Sequence, residues 1–159
     1  MNSAFALGTL VVATTLAMST LSAEPPPAPG LPAGAIQIPA GTGTWVTGPP
    51  GLPAGTRVMR LEGDPAQDGM FTIRLQVPAG TRLQPHSHPR EERVTVLSGE
   101  VLVGFGDTFD EDAMTRFTAG SFYVNPADSH HFIWFKSESV IQITGNVPGN
   151  CITSPRGST

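Results

Sequence analysis

The chain has 159 residues, enough for one domain of ordinary size, and carries 18 glycines and 16 prolines against 14% charged residues. This composition favours a turn-rich β protein over a helical one. The formal net charge is −4 and no basic stripe accompanies it, which argues against nucleic acid as a partner.

The first 23 residues contain no charged side chain, and an apolar run lies between Leu7 and Met18. Small residues follow before Glu24, as they do at the end of a secretory signal. Residues 1–23 are therefore predicted to be a signal peptide, and the protein is expected to be periplasmic or secreted. The alternative is an uncleaved membrane anchor through residues 4–23, because about 20 apolar residues can span a bilayer.

A Pro/Gly-rich stretch follows the predicted signal peptide, and residues 24–34 are predicted to be a linker. An apolar residue followed by Pro-Ala-Gly then recurs, at residues 31–34, 38–41, 52–55 and 77–80. With proline at the second position and glycine at the fourth, this phrase suits a type I turn. We interpret it as the turns between strands.

Strand-like segments lie between these turns. Residues 70–77 alternate cleanly between apolar and polar side chains, and the further segments are 92–97, 101–105, 121–124, 131–135 and 139–144. Short strands separated by turns indicate an all-β sandwich or barrel, here a single domain over residues 35–150. Residues 151–159 are predicted to be a C-terminal tail. Its Cys151 is the single cysteine, which excludes an internal disulfide framework.

The four histidines fall in two clusters, and the first is a chelating pair. Pro85 and Pro89 bracket His86 and His88 and exclude a helix through them. In an extended chain the side chains at positions i and i+2 point the same way, so both imidazoles face one side.

A carboxylate follows this pair. Alternation along the segment 92–97 places Glu92 on the inner face with apolar side chains and leaves Glu91 outside. A carboxylate beside two histidines in an apolar barrel is costly unless a divalent cation compensates its charge. The second cluster, His130 and His131, stands at the start of an apolar strand and offers a further ligand.

These residues resemble the two motifs of the cupin superfamily, and in particular its small single-domain bacterial members. The first motif is matched at every fixed position, by Gly80, His86, His88, Glu92 and Gly99. The second is matched in part, by Gly120, Pro126 and His131, whereas Asp128 and Phe135 replace its second glycine and its terminal asparagine. Residues 100–119 separate the motifs, an ordinary spacing for such members.

The resemblance implies a single cupin β-barrel, a double-stranded β-helix of jelly-roll type, that forms a homodimer. It also implies one divalent transition metal whose ligands are His86, His88, Glu92 and His131. His130 is then an outer hydrogen-bonding partner or an alternative ligand. Imidazole and carboxylate together accept iron, manganese, nickel, copper or zinc, so the identity of the metal stays open.

We therefore expect an exported, metal-dependent enzyme of dioxygenase-like type that acts on a small oxygen-bearing substrate. The inner walls are apolar, and no acid or base beyond the ligands stands near the motifs, so no separate catalytic residue is assigned. The alternative is a non-catalytic cupin module that binds a small molecule or a metal. Its ligand set is the same, and the sequence does not separate the two.

Overall fold

The protein is described by a computed structural model that covers residue 30 and residues 32–147. The predicted signal peptide and C-terminal tail lie outside the described residues, as does most of the predicted linker. By its contacts the chain divides into residues 1–35 and residues 36–159, and the second unit contains all strands of the described residues. In the part of the chain that is described, no helix is long and apolar enough to cross a membrane.

The described residues form two antiparallel β-sheets and one short 3-10 helix, Glu111–Ala113. The strands are β1 (Val46–Thr47), β2 (Arg57–Glu62), β3 (Gly69–Val77), β4 (Arg82–His86), β5 (Glu92–Ser98), β6 (Glu100–Phe105), β7 (Thr115–Thr118), β8 (Phe122–Asn125), β9 (His131–Phe135) and β10 (Ser139–Val147). One sheet has the strand order β1-β2-β3-β10-β5-β8 and the other the order β4-β9-β6-β7. This architecture confirms the predicted all-β barrel.

The core lies between the two sheets and is built by strand alternation. On β3 every second residue from Phe71 to Val77 is buried, as the sequence pattern predicts. The same alternation buries two valines on β5 and two isoleucines on β10. Burial of each such side chain stabilises the folded state by about 1.5–3 kcal/mol. The inner faces of both sheets therefore form one apolar wall around the barrel interior.

The Pro-Ala-Gly phrases are turns, but the predicted turn type is wrong. In each, the residue after the glycine donates its N–H to the carbonyl of the proline, for example Thr56 to Pro53 at 3.1 Å. Proline is thus the first residue of the turn and glycine the third. The four glycines have φ values between 80° and 82°, which a type II turn requires at its third residue. The prediction of type I placed each turn one residue too early.

Two cations and an aromatic ring are stacked along strands β4 and β9. The guanidinium of Arg82 lies 4.0 Å from the ring centre of Trp134, its register partner on β9, and the ammonium of Lys136 lies 3.4 Å from the same ring. Arg82 also forms an ion pair with Glu111 at 2.8 Å, which attaches the 3-10 helix to the sheet. These contacts brace two strands that both supply site residues.

Candidate metal centre

Three histidines converge inside the barrel. His86 ends β4 and His131 begins β9, and the two are register partners across the sheet. His88 follows two residues after His86, so its ring turns to the same side, as predicted. One ring nitrogen of each histidine lies within 4.8 Å of those of the other two. This spacing suits a single metal ion bound between the three imidazoles.

Backbone contacts orient two of these rings. Nδ1 of His86 donates to the carbonyl of Gln84 at 2.7 Å, and Nδ1 of His131 donates to the carbonyl of Ser129 at 3.3 Å. Each contact places the proton on Nδ1 and leaves the lone pair of Nε2 for a metal. Nε2 of His131 is buried and has no hydrogen-bond partner among the described residues. Such an atom is costly, and a metal ion at this position would satisfy it.

Glu92 lies beside the histidines at the start of β5. Its Oε2 is 3.4 Å from Nε2 of His88 and accepts a hydrogen bond from Nδ2 of Asn125 at 3.3 Å. Its side chain is 13% exposed, whereas Glu91 is exposed and forms an ion pair with Arg93. The structure therefore orients the two glutamates as alternation predicts. The potential ligand atoms that lie within 4.8 Å of one another belong to the three histidines, and Glu92 lies next to one of them, His88.

Burial sets the protonation states at the site. Desolvation lowers the pKa of His131 to about 3, and desolvation also lowers the pKa of His86. Both imidazoles are therefore neutral at pH 7, the form that a metal requires of its ligands. Desolvation raises the pKa of Glu92, and the hydrogen bond from Asn125 opposes this rise. A divalent cation would stabilise the ionised carboxylate that burial disfavours.

His130 lies outside the group. Its Nδ1 contacts the carboxylate of Asp107, and its side chain is 49% exposed, whereas His131 is 1% exposed. Consecutive residues of an extended segment point to opposite sides, so only one of the two neighbours can face the barrel interior. The structure selects His131.

The two departures from the second motif leave the site intact. Asp128 replaces a glycine and adopts a φ of 56°, which aspartate tolerates better than most residues. Its N–H donates to the carbonyl of His88 at 2.7 Å and so ties the β8–β9 turn to the first motif. Phe135 is buried in the core at 1% exposure, and its backbone pairs with Gly80 and Thr81.

Asn125 is a site residue that the sequence analysis missed. It is 1% exposed, lies opposite Glu92 in the register between β5 and β8, and donates to the Glu92 carboxylate. The one available signal was the polar residue at the end of the segment 121–124, followed by Pro126. That signal does not identify Glu92 as its partner, because the pairing joins residues far apart in sequence.

A cavity of about 670 Å³ lies against this group. Its polar lining residues are His86, His88, Glu92 and His131 together with Thr47, Thr56, Arg60, Arg82 and Gln84. The remaining wall is mostly apolar and includes Val58, Phe71, Ile73, Leu75, Ile133, Phe135, Ile141 and Ile143. Apolar walls with a few convergent polar groups are typical of small-molecule sites.

The chain is similar in sequence to known proteins. The family model of the ChrR cupin-like domain matches residues 35–148. Germin-like protein 3-1 from Oryza sativa subsp. japonica is 41% identical over 75 residues, which are 46% of this chain and 33% of that protein. The match to this curated relative therefore covers about a third of its length.

Solved structures share the fold. A crystal structure of an acetylacetone dioxygenase from Acinetobacter johnsonii has a TM-score of 0.55 at 16% identity and covers 75% of this chain and 77% of that chain. An RmlC-like cupin from Shewanella frigidimarina has a TM-score of 0.50 at 16% identity, with 60% of this chain and 78% of that chain covered. At these identities the likeness concerns the barrel architecture alone.

Proposed function

Because this chain belongs to the family of ChrR cupin-like domains, we propose that it is an exported cupin that binds one divalent transition metal and acts on a small oxygen-bearing molecule. The metal ligands are His86, His88, His131 and Glu92. The observation that carries this proposal is the group of three histidine nitrogens within 4.8 Å, one of them the buried and unpartnered Nε2 of His131.

The chain's own groups have distinct tasks in this proposal. The bonds from Nδ1 of His86 and His131 to backbone carbonyls hold the rings with Nε2 toward the centre. Glu92 supplies a negative charge that partly balances a dication, and Asn125 orients its carboxylate. When bound, such a metal supplies a Lewis acid with open coordination positions.

The lining of the cavity supports the proposed reaction class. Among the described residues that line it, Glu92 is the only carboxylate, so acid–base chemistry independent of the metal has no second carboxyl group to use. The mostly apolar wall favours a small organic substrate. We therefore favour a dioxygenase-like reaction. The alternative, a non-catalytic module that binds a small molecule or a metal, uses the same ligands.

Elemental analysis after native purification tests the metal site. The wild-type protein is expected to carry close to one equivalent of a transition metal, and His86→Ala and His88→Ala are expected to lose it. Full metal occupancy in both variants would overturn the site assignment. Oxygen uptake on a panel of diols and flavonols then separates the two functions, because a metal-loaded protein that turns over none of them supports the binding module.

Export and self-association belong to the same proposal and have their own tests. Expression of the full chain followed by N-terminal sequencing of the periplasmic and secreted fractions is expected to find a mature protein that begins near Glu24. Recovery of the uncleaved chain in the membrane fraction would support the anchor through residues 4–23 instead.

Sedimentation of the mature protein is expected to give the mass of a homodimer.

A further inference from the structure

A charged side chain lines the cavity at a position where the strand pattern expects an apolar one. On β2, Val58 and Arg60 both line the cavity, and their register partners on β3 are the buried residues Leu75 and Ile73. Arg60 therefore lies on the inner face of the sheet, within the same cavity as the three histidines. The other arginine among the described lining residues, Arg82, is engaged by Trp134 and Glu111.

The turn after β2 holds Arg60 in place. Its Nη1 is 2.9 Å from Oδ2 of Asp64, and Oδ1 of Asp64 accepts the N–H of Ala66 at 2.9 Å. The same turn needs Gly63, whose φ is 59° and where an added Cβ would lie 2.1 Å from the carbonyl oxygen of Met70. A register shift in β2 directly after Arg60 leads into this turn. The backbone of the turn therefore fixes the position of the Asp64 carboxylate.

The ion pair leaves most of the guanidinium free to bind a ligand. A guanidinium has five N–H donors in a planar fork, and the Asp64 contact engages Nη1 alone. The Arg60 side chain is 57% exposed, and an ion pair at such a position contributes at most about 1 kcal/mol. A ligand carboxylate that forms two hydrogen bonds with the guanidinium gains more free energy than is lost when the ion pair between Arg60 and Asp64 breaks.

We propose that Arg60 recognises the carboxylate of a small apolar acid in this cavity, with the apolar body of the acid against the wall formed by β3 and β10. The inference rests on the proposed function and specifies its substrate class. The cavity volume of about 670 Å³ lies within the range of small-molecule sites. Arg60 is then a residue that determines specificity for anionic over neutral ligands.

Calorimetry with a charged and a neutral probe tests the proposal. Phenylacetate and phenylacetamide have the same apolar body and differ in charge. In metal-loaded protein, Arg60→Gln is expected to weaken phenylacetate binding about tenfold and to change phenylacetamide binding less than about twofold, because a charge-assisted hydrogen bond is lost only with the acid. Arg57→Gln is the matched control, since Arg57 lies on the same strand but contacts Gln76 on the outer face.

A second variant distinguishes recognition from a structural role. Asp64→Asn keeps an acceptor for Ala66 and removes the negative charge beside Arg60, so phenylacetate is expected to bind about two- to threefold more tightly. If Arg60 only fixed the turn, Asp64→Asn and Arg60→Gln would weaken both probes alike, and this result would overturn the proposal. Unchanged phenylacetate binding in Arg60→Gln, or no phenylacetate binding to the wild type, would overturn it as well.

Metal content is measured on the same samples. A wild-type protein that binds no metal contradicts the proposed function, whereas Arg60-dependent binding of phenylacetate to that protein would still support the acid site. Normal metal content together with phenylacetate binding that does not depend on Arg60 would support the proposed function and contradict the acid site.

Discussion

Residues 86–92 and residues 125–131 build the same site from different depths of the barrel. His86 and His88 in the first segment are partly exposed to the cavity, whereas Asn125 and His131 in the second are each 1% exposed. The second segment also contains two buried atoms without a hydrogen-bond partner among the described residues, Oδ1 of Asn125 and Nε2 of His131. Unpaired polar atoms cost most where water is excluded, so metal binding should stabilise the second segment more than the first.

The largest expected effect separates the two neighbouring histidines of the second segment. His131→Ala is expected to lower the affinity for Zn²⁺ by more than about 100-fold, beyond the range that loss of an outer hydrogen-bonding partner produces. His130→Ala, the matched change one residue earlier, removes an exposed ring and should alter the affinity less than about threefold. Competition titration against a chromophoric chelator measures both. Equal losses in the two variants would contradict the assignment of His131 alone.

The second expected effect is a pH dependence of the metal-free protein. The pKa of His131 is about 3 in the folded state against 6.5 in the unfolded chain, so the unfolded state binds the proton first as the pH falls. The stability that the neutral ring contributes is complete above pH 6.5 and is lost below it, by about 1.4 kcal/mol per pH unit. The raised pKa of Glu92 has the opposite sign, so a variant is needed to isolate the histidine.

Urea unfolding of the metal-free wild type and of His131→Gln isolates the contribution of His131 to the pH dependence. Between pH 6.5 and pH 5 the wild type should lose about 2 kcal/mol of unfolding free energy relative to the variant. His130→Gln is the control and should follow the wild type. Parallel stability curves for wild type and His131→Gln would show that burial of this ring is not linked to its protonation.

The smallest expected effect concerns the orientation of Glu92. Asn125→Ala removes the hydrogen bond to the Glu92 carboxylate and should weaken Zn²⁺ binding about tenfold. Ser87→Ala, a substitution of a small polar residue in the first segment, is the comparison and should stay within about twofold. If Asn125→Ala binds Zn²⁺ like the wild type, Glu92 is oriented without the hydrogen bond from Asn125.

Local pattern predicted most of the first segment and little of the second. The prolines around the histidine pair and the alternation of β5 depend on neighbouring residues alone, and in the structure Glu92 lines the cavity as alternation predicts. The choice between His130 and His131, and the contact of Asn125 with Glu92, depend on the pairing of β9 with β4 and of β8 with β5. Such pairings join distant parts of the chain, and a single sequence contains no direct signal for them. The metal itself stays a prediction.

In the fold as a whole, too, some strands could be predicted from the sequence and others could not. The strands that alternate cleanly were predicted, and the superfamily is confirmed by the family match over residues 35–148. Strand β2 was missed because its sequence, RVMRLE, has charged residues on both faces, including the inward Arg60. Strand β7 was missed because it lies at a sheet edge and is only partly buried. Burial of one face creates the alternation that a sequence reveals, and these strands have little of it.

The stack around Trp134 has an optical consequence. The guanidinium of Arg82 and the ammonium of Lys136 lie 4.0 Å and 3.4 Å from the indole ring centre, and their fields shift its excited state, so its emission depends on this geometry. Trp134 lies on the same pair of strands as His86 and His131, and unlike its neighbours Ile133 and Phe135 it does not line the cavity. The chain has one other tryptophan, Trp45. A protein with Trp45 replaced by phenylalanine therefore has a single tryptophan, whose emission reports on the two metal-site strands.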